Sequence, residues 1–213
     1  MRMQRGFTLI ELLVVIGILG LLAAAFLPDL IGGRDTANIT ETGMRQQFLV
    51  NGINAYRAAN GNVPPDDLRD PLGKLTVKPD NGTNMGIESL VFFLSQKGSA
   101  GIDLSEHEGW LENTDADDHG TTMQRLGRTT RVEVVDAWGT PMAYFSSVSQ
   151  VAGFDKVQKV MLPGEAGAGE VVDAKAWKRA DGGFLGAGKY QIVSAGKDRV
   201  FNTDDDVTWP ERF

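Results

Sequence analysis

From Phe7 to Leu27 almost every position is apolar, and Glu11 is the only charge in the run. At ~1.5 Å of rise per residue, a helix over this stretch reaches the ~30 Å of a bilayer's hydrocarbon core. Pro28 lacks a backbone N–H and clashes with the preceding turn, so the helix is expected to kink or melt there. Gly32-Gly33 adds a second weak point. Beyond it Ala37, Ile39, Met44, Phe48, Ile53 and Tyr56 recur at spacings that suit one helix face, with Arg34, Glu41, Arg45, Gln46 and Arg57 on the others. This predicts an amphipathic helix from Asp35 to Ala59, stopped by Asn60-Gly61 with Pro64-Pro65 just beyond.

The rest of the chain reads as a loop-rich domain. Residues 62–84 are rich in Pro, Gly, Asp and Asn and predict a loop. Gly86 to Gln96 predicts a short helix with Ile87, Leu90, Val91 and Leu94 inward. Strands are expected at Arg131–Val135, Met142–Ser146 and Tyr190–Ser194, with Lys156–Leu162 as a further one, each bounded by Gly, Pro or Asp. The Gly-rich run 164–169 reads as a turn or insertion, and residues 98–130 match no pattern. The result is an α+β expectation: a long amino-terminal helix packed on a small antiparallel sheet with long loops.

Charge narrows the partners. The 213 residues carry a formal net charge of −7, and two of the basic residues are Arg2 and Arg5 in the leader. An acidic domain lacks the clustered Lys and Arg that phosphate contacts need, which excludes nucleic acid. The acids gather near 115–118 and 204–206, an arrangement suited to a hard cation. With no cysteine, disulfides and thiolate metal sites are excluded. His107 and His119 have no third ligand at a recognisable spacing and read as exposed loop residues. No nucleophile–base order, phosphate loop or metalloprotease helix motif appears, so no enzyme is expected.

Three readings compete for the amino terminus. A secretory signal peptide would use Ala23-Ala24-Ala25 as its cleavage site, but the apolar run exceeds the ~7–15 residues of such segments and contains Glu11. A plain anchor would keep Arg2 and Arg5 cytoplasmic and leave Glu11 unexplained, unless it reaches the membrane face. A carboxylate in a membrane-length segment marks a functional position by default. Arg5-Gly6-Phe7-Thr8-Leu9-Ile10-Glu11, with Pro28 further on, resembles the processing motif of type IV pilins and of type II secretion pseudopilins. The resemblance implies that a prepilin peptidase cuts between Gly6 and Phe7 and methylates the new Phe7 amine. It also implies that Phe7, Glu11 and Pro28 serve assembly, with the Glu11 carboxylate meeting the amine of a neighbouring subunit. A buried charge without a partner is strongly destabilising, so the pairing would favour the assembled state and set its register.

Later segments resemble the major pseudopilins in particular. Tyr56…Asn60-Gly61…Pro64-Pro65…Gly86-Ile87-Glu88-Ser89-Leu90-Val91 follows their layout with a longer loop. Asp136-Ala137-Trp138-Gly139-Thr140-Pro141-Met142-Ala143-Tyr144 departs from the family pattern only at Ala137, and reads as a tight turn with Trp138 plugging the sheet against the helix. Gly188 to Trp209 resembles the family's calcium loop, although Arg199 stands where the family has Gly. This implies a Ca2+ held by Asp198, Asp204, Asp205 and Asp206, with backbone carbonyls near Val193 and Ser194. An EF-hand is excluded there, because its sixth and twelfth positions would be Thr203 and Trp209. The run Asn113 to Asp118 fails the same test and reads as a solvated acidic loop.

The resemblance implies a leader at 1–6, a transmembrane assembly helix at 7–31, an amphipathic helix at 32–60 and a periplasmic domain at 61–213. The implied protein sits in a bacterial inner membrane, and its subunits polymerise into a homo-oligomeric filament that drives protein export. Its partners would be minor pseudopilins, the prepilin peptidase and an inner-membrane assembly platform. A type IV pilin, and a membrane-anchored calcium-binding or adhesive domain that never assembles, are the alternatives.

Overall fold

The computed structural model describes residues 7–68, 81–98, 102–148, 154–164, 169–186 and 189–212, apart from the side chains of 23–32 and 119–121. The chain divides into two units, Met1–Ala37 and Asn38–Phe213. The expected break after the apolar run is absent. One helix, α1, spans Leu9–Asn60 and continues through Pro28 and Gly32-Gly33. Proline forfeits one hydrogen bond but its fixed φ is helical, and the Ala23-Ala24-Ala25 and Leu27 before it are strong helix formers. The side chain of Pro28 and the residue Gly6 lie outside the described residues. In the first unit Phe7 to Leu22 are exposed throughout. Among the described residues no helix is long and apolar enough to cross a membrane.

In the second unit α1 ends where the Asn-Gly signal places it. Gly61 takes a φ of 81°, its N–H bonds to the Arg57 carbonyl at 2.8 Å, and the Asn60 amide closes on the Tyr56 carbonyl. The buried face differs from the expected one. Thr42, Arg45, Gln46, Leu49, Val50 and Ile53 are buried, whereas Ile39 and Met44 are 49% and 59% exposed. Arg45 is inward because its guanidinium satisfies the carbonyls of Val135 at 2.7 Å and Asp136 at 3.0 Å, which hydrophobic periodicity cannot anticipate.

Helix α2, Met85–Leu94, buries Ile87, Leu90, Val91 and Leu94 as expected, and also Glu88 and Ser89. A 3-10 helix, Leu104–Trp110, follows in the stretch the sequence leaves blank. There His107 is not a free loop residue, since its ring stacks on Trp110 at 3.9 Å and meets Phe48 edge-on at 4.5 Å. The described strands are β1 Leu111–Glu112, β2 Asp118–Met123, β3 Arg128–Thr130, β4 Glu133–Val134, β5 Ala143–Ser146, β6 Val157–Leu162, β7 Glu170–Lys175, β8 Tyr190–Ser194 and β9 Val207–Trp209. All pair antiparallel: β1 with β4, β2 with β3, β6 with β7, and a three-stranded sheet in the order β5–β8–β9. Mixed helix and small antiparallel sheets make this an α+β arrangement.

Strands β5 and β8 are buried along their whole length because they are covered on both faces. Alternation along a strand sends Tyr144, Tyr190 and Ile192 toward the core shared with Leu49, Ile53, Leu90 and Leu94. Ala143, Phe145 and Val193 point the other way, into a second core with Phe154, Val160, Ala174 and Phe201. The sheet therefore lies between the two helices and the β6–β7 hairpin. Its ends deliver the residues considered next.

Candidate functional site

The amino-terminal turn closes on itself. The Thr8 hydroxyl accepts the Glu11 N–H at 3.3 Å, while Glu11 Oε2 accepts the Thr8 N–H at 2.9 Å and the Thr8 hydroxyl at 2.7 Å. This reciprocal arrangement is a capping box, which satisfies donors that a helix start leaves orphaned. The sequence reading gives Glu11 no partner in its own chain, whereas the structure gives it Thr8. The Thr-x-x-Glu spacing is the signal that locates the box. Phe7 is 80% exposed beside it.

The turn after β4 is anchored by Asp136 rather than Trp138. Asp136 accepts the N–H groups of Trp138 and Thr140, both at 2.9 Å, and the Ser194 hydroxyl at 2.6 Å. Burial pushes its carboxyl up, against the pull of these bonds. Trp138 is only half-buried and joins neither core, because the turn is already held by Asp136 and by the Thr42 hydroxyl on the Ala137 N–H.

Ser194 leads into the acidic loop 195–206. Asp205 folds back over its start: Asp205 Oδ2 accepts the Asp198 N–H at 2.9 Å and Oδ1 accepts the Thr203 hydroxyl at 2.7 Å. A Cβ at Gly196 would strike the Asp205 carboxylate and carbonyl, so this close approach requires glycine. Burial raises the Asp205 carboxyl, but the bonds from Thr203 and Asp198 outweigh it and hold the group below its ordinary range. Asp198 accepts the Val200 N–H at 2.7 Å, and Arg199 keeps a left-handed φ of 59°. The Arg199 guanidinium turns away to the carbonyls of Trp138 and Pro163.

Asp206 points inward. Its Oδ2 accepts the Trp177 indole N–H at 2.7 Å and the Asn202 N–H at 2.9 Å. Burial pushes its carboxyl up to about 6, against the pull of those two bonds. Asp206 Oδ1 is buried and receives no hydrogen bond. Arg212 lies over the Trp177 ring and donates to the main-chain oxygens of Thr203, Asp204 and Asp206. The Asp204 side chain is exposed. The loop thus brings Asp198 and Asp205 together, turns Asp206 toward its base, and leaves Asp204 outside. The undonated Asp206 Oδ1 is a hard oxygen of the kind that suits a hard cation.

A second acidic cluster is assembled from three segments. One carboxylate oxygen each from Glu88 on α2, Asp115 in the β1–β2 loop and Glu133 on β4 lie within 4.8 Å of one another. Glu88 and Glu133 are fully buried. Glu133 Oε2 accepts the Thr114 N–H at 3.0 Å, whereas Oε1 is buried and receives no donor. Burial pushes the Glu133 carboxyl up to about 7. The fully buried Arg131 lies 3.5 Å from Glu88 and 3.3 Å from Asp117. The loop 113–118 is therefore not simply solvated: Ala116 takes a left-handed φ of 60°, and Asn81 holds the outer oxygen of Asp115 at 3.0 Å. Nothing in the local sequence of Glu88 or Glu133 marks either as part of this cluster, because their partners lie far away along the chain.

The first 27 residues match the family described as the prokaryotic N-terminal methylation motif, which defines the class of amino terminus the chain carries. More particularly, the chain is similar to the type II secretion system core protein G of Vibrio cholerae, at 37% identity over 81 residues, or 38% of this chain and 54% of that protein. It is similar to the protein of the same name in Escherichia coli K12, at 34% identity over 41% of this chain and 49% of that one. A type IV wide pilus major component of Thermus thermophilus is 55% identical over 40 residues, 19% of this chain. These matches support a likeness to the major pseudopilins. The chain spans about half the length of the secretion-system relatives it matches. No solved structure matches it.

Proposed function

We propose that the chain is a structural subunit of a type II secretion pseudopilus. A prepilin peptidase would cut it between Gly6 and Phe7, and it would polymerise through α1 to drive export. The observation that carries this reading is the exposed apolar helix that begins at a capped Thr8–Glu11 turn inside the matched methylation motif. The fold would be of the type IV pilin kind, anchored in the inner membrane with the second unit in the periplasm. Minor pseudopilins and the inner-membrane assembly platform would be its partners.

The capping box refines the part played by Glu11. Cleavage converts the Phe7 nitrogen into a cationic amine one turn from the carboxylate, so Glu11 would hold its own first turn before it meets a neighbour's amine. Mass spectrometry of the mature protein is expected to find an N-methylated Phe7. An intact Met1, or a start near Phe26, would overturn the reading. Calcium, where the loop binds it, would be held by Asp198 and Asp205 with Asp206 from below, and would tie the loop's two ends together. Titration of calcium into the Asp198→Ala chain is expected to show the loss of one bound ion.

A further inference from the structure

We propose that the outer edge of β7 is a docking site for the β7 strand of a second copy of this chain, added antiparallel about a two-fold axis at Val172. The proposal does not rest on the secretion reading. β6 and β7 pair only with each other, so each has an outer edge. In an antiparallel pair a residue's N–H and C=O point to the same side, and that side alternates along the strand. Lys175 sends both groups outward to Asn202: its N–H donates to Oδ1 at 3.1 Å, and its carbonyl accepts the side-chain amide at 2.9 Å. β6 shows the same alternation. The Lys159 carbonyl accepts the Asn84 N–H at 2.7 Å, and the Met161 N–H donates to Asn84 Oδ1 at 2.9 Å. Lys159 and Met161 stand opposite Asp173 and Val171 in the ladder. The N–H and C=O groups of Val171 and Asp173 therefore point outward as well, and none of the described residues bonds them.

An edge left open in this way is a template for another strand, and proteins usually close such edges. This chain closes the outer edge of β6 with Asn84. It closes that of β5 with Asp66, which accepts the Ser146 N–H at 2.7 Å, and with Gln158, whose amide donates to the Tyr144 carbonyl. β7 is closed only at Lys175. A second copy fits the opening because the open groups complement themselves. With Val172 opposite the partner's Val172, Val171 faces the partner's Asp173 and Asp173 faces the partner's Val171. Every open group is then bonded and none is left over. A two-fold at Asp173 would oppose two carboxylates and would need the Lys175 groups that Asn202 already holds. The Val172 register instead brings two valines to the non-hydrogen-bonded position, where cross-strand side chains lie closest. It leaves each Asp173 beside its own Lys159 at 2.6 Å, and it covers Val171, which is 45% exposed. The contact is isologous and closes at two copies.

The chain has no cysteine, so an introduced one reports only on its own contact. The test oxidises the full-length chain in detergent and follows disulfide-linked dimer by non-reducing electrophoresis. Cα atoms of a non-hydrogen-bonded pair lie ~4.5 Å apart, within reach of a disulfide, so Val172→Cys is expected to link into a dimer. Two copies of Val171→Cys would be out of register and beyond the ~7 Å a disulfide spans, and should link about tenfold more slowly. Mixing Val171→Cys with Asp173→Cys should restore the link, since those positions face each other. Adding Val171→Pro to Val172→Cys removes an N–H that only the open edge uses, so linking should fall by about tenfold while the melting temperature stays close to that of Val172→Cys. The proposal is overturned if neither Val172→Cys nor the mixed pair links, if Val171→Cys alone links as fast as Val172→Cys, or if Val171→Pro leaves the rate unchanged. Should Val172→Cys itself fail to fold, the mixed pair at the exposed positions 171 and 173 decides. A Val172→Cys chain that links only to a different protein in whole cells would likewise overturn the second copy as occupant.

Discussion

The loop at 198–206 and the cluster of Glu88, Asp115 and Glu133 treat their carboxylates in opposite ways. The loop gathers acids that are neighbours in sequence, keeps Asp204 in solvent, and meets Asp198, Asp205 and Asp206 with N–H or hydroxyl donors of its own segment and with the Trp177 indole. The cluster gathers acids from three elements and buries two of them completely around one arginine. A short loop can solve its electrostatics with backbone donors close at hand. A long-range cluster has its backbone donors committed to strands and helices, and must be neutralised by a counter-charge, a proton or an ion. The comparison predicts that charge removal acts strongly on one site and weakly on the other.

The largest effect is expected at Arg131. Its replacement by Met removes the buried guanidinium beside Glu88 and Asp117 and should cost about 3–5 kcal/mol of unfolding free energy in calcium-free urea denaturation. A loss under about 1 kcal/mol would mean that the acids are neutral before the arginine is removed.

The next effect is a pH dependence. The Glu133 carboxyl is raised from 4.5 to about 7 in the folded chain by burial. The folded state therefore holds this proton more tightly than the unfolded state does. Glu133's contribution is fully present below pH 4.5 and is lost as pH rises through about 7. At ~1.36 kcal/mol per pH unit the loss amounts to at most about 3 kcal/mol. Calcium-free chain should lose stability over this window and Glu133→Gln should flatten the decline. An equal decline in both proteins would place the proton elsewhere.

How much of this was legible depends on the range over which the signal is encoded. The end of α1, helix α2 and strands β5, β6 and β8 follow from local signals: Asn60-Gly61, the spacing of Ile87, Leu90, Val91 and Leu94, and β-branched or aromatic runs. Strands β7 and β9 escaped notice. β7 is rich in charge along its exposed edge, and β9 is three residues that become a strand only by pairing with β8. The apolar periodicity of α1 points to Ile39 and Met44, yet the buried face runs through Thr42, Arg45 and Gln46, whose polar ends find carbonyl and amide partners on distant segments. The acids at 198–206 are visible because they are contiguous. Glu88 and Glu133 are invisible because α2 and β4 meet only after folding.

Within the loop the comparison can be sharpened in calcium-free protein. Asp206→Ala removes the acceptor for the Trp177 indole and the Asn202 N–H, and should cost about 1–3 kcal/mol. Asp198→Ala removes one bond to the Val200 N–H at an exposed position, and should cost about 0.5–1 kcal/mol. If chemical denaturation returned the opposite order, Asp206 would not be the base of the loop.

The smallest effect on the isolated chain is expected at Ile39 and Met44. Both are large apolar side chains left half-exposed on α1, while Leu49, Val50 and Ile53 on the same helix are buried. Changing both to Ser should alter unfolding free energy by no more than about 0.5 kcal/mol each, as befits half-exposed residues outside both cores. A subunit that assembles through α1 would use such a surface against its neighbours, because exposed apolar area gains by being covered. The double variant should therefore fold normally and yield less filament under shear recovery. A drop in monomer stability above about 1 kcal/mol would show instead that these side chains serve the fold, and would remove them from the assembly surface.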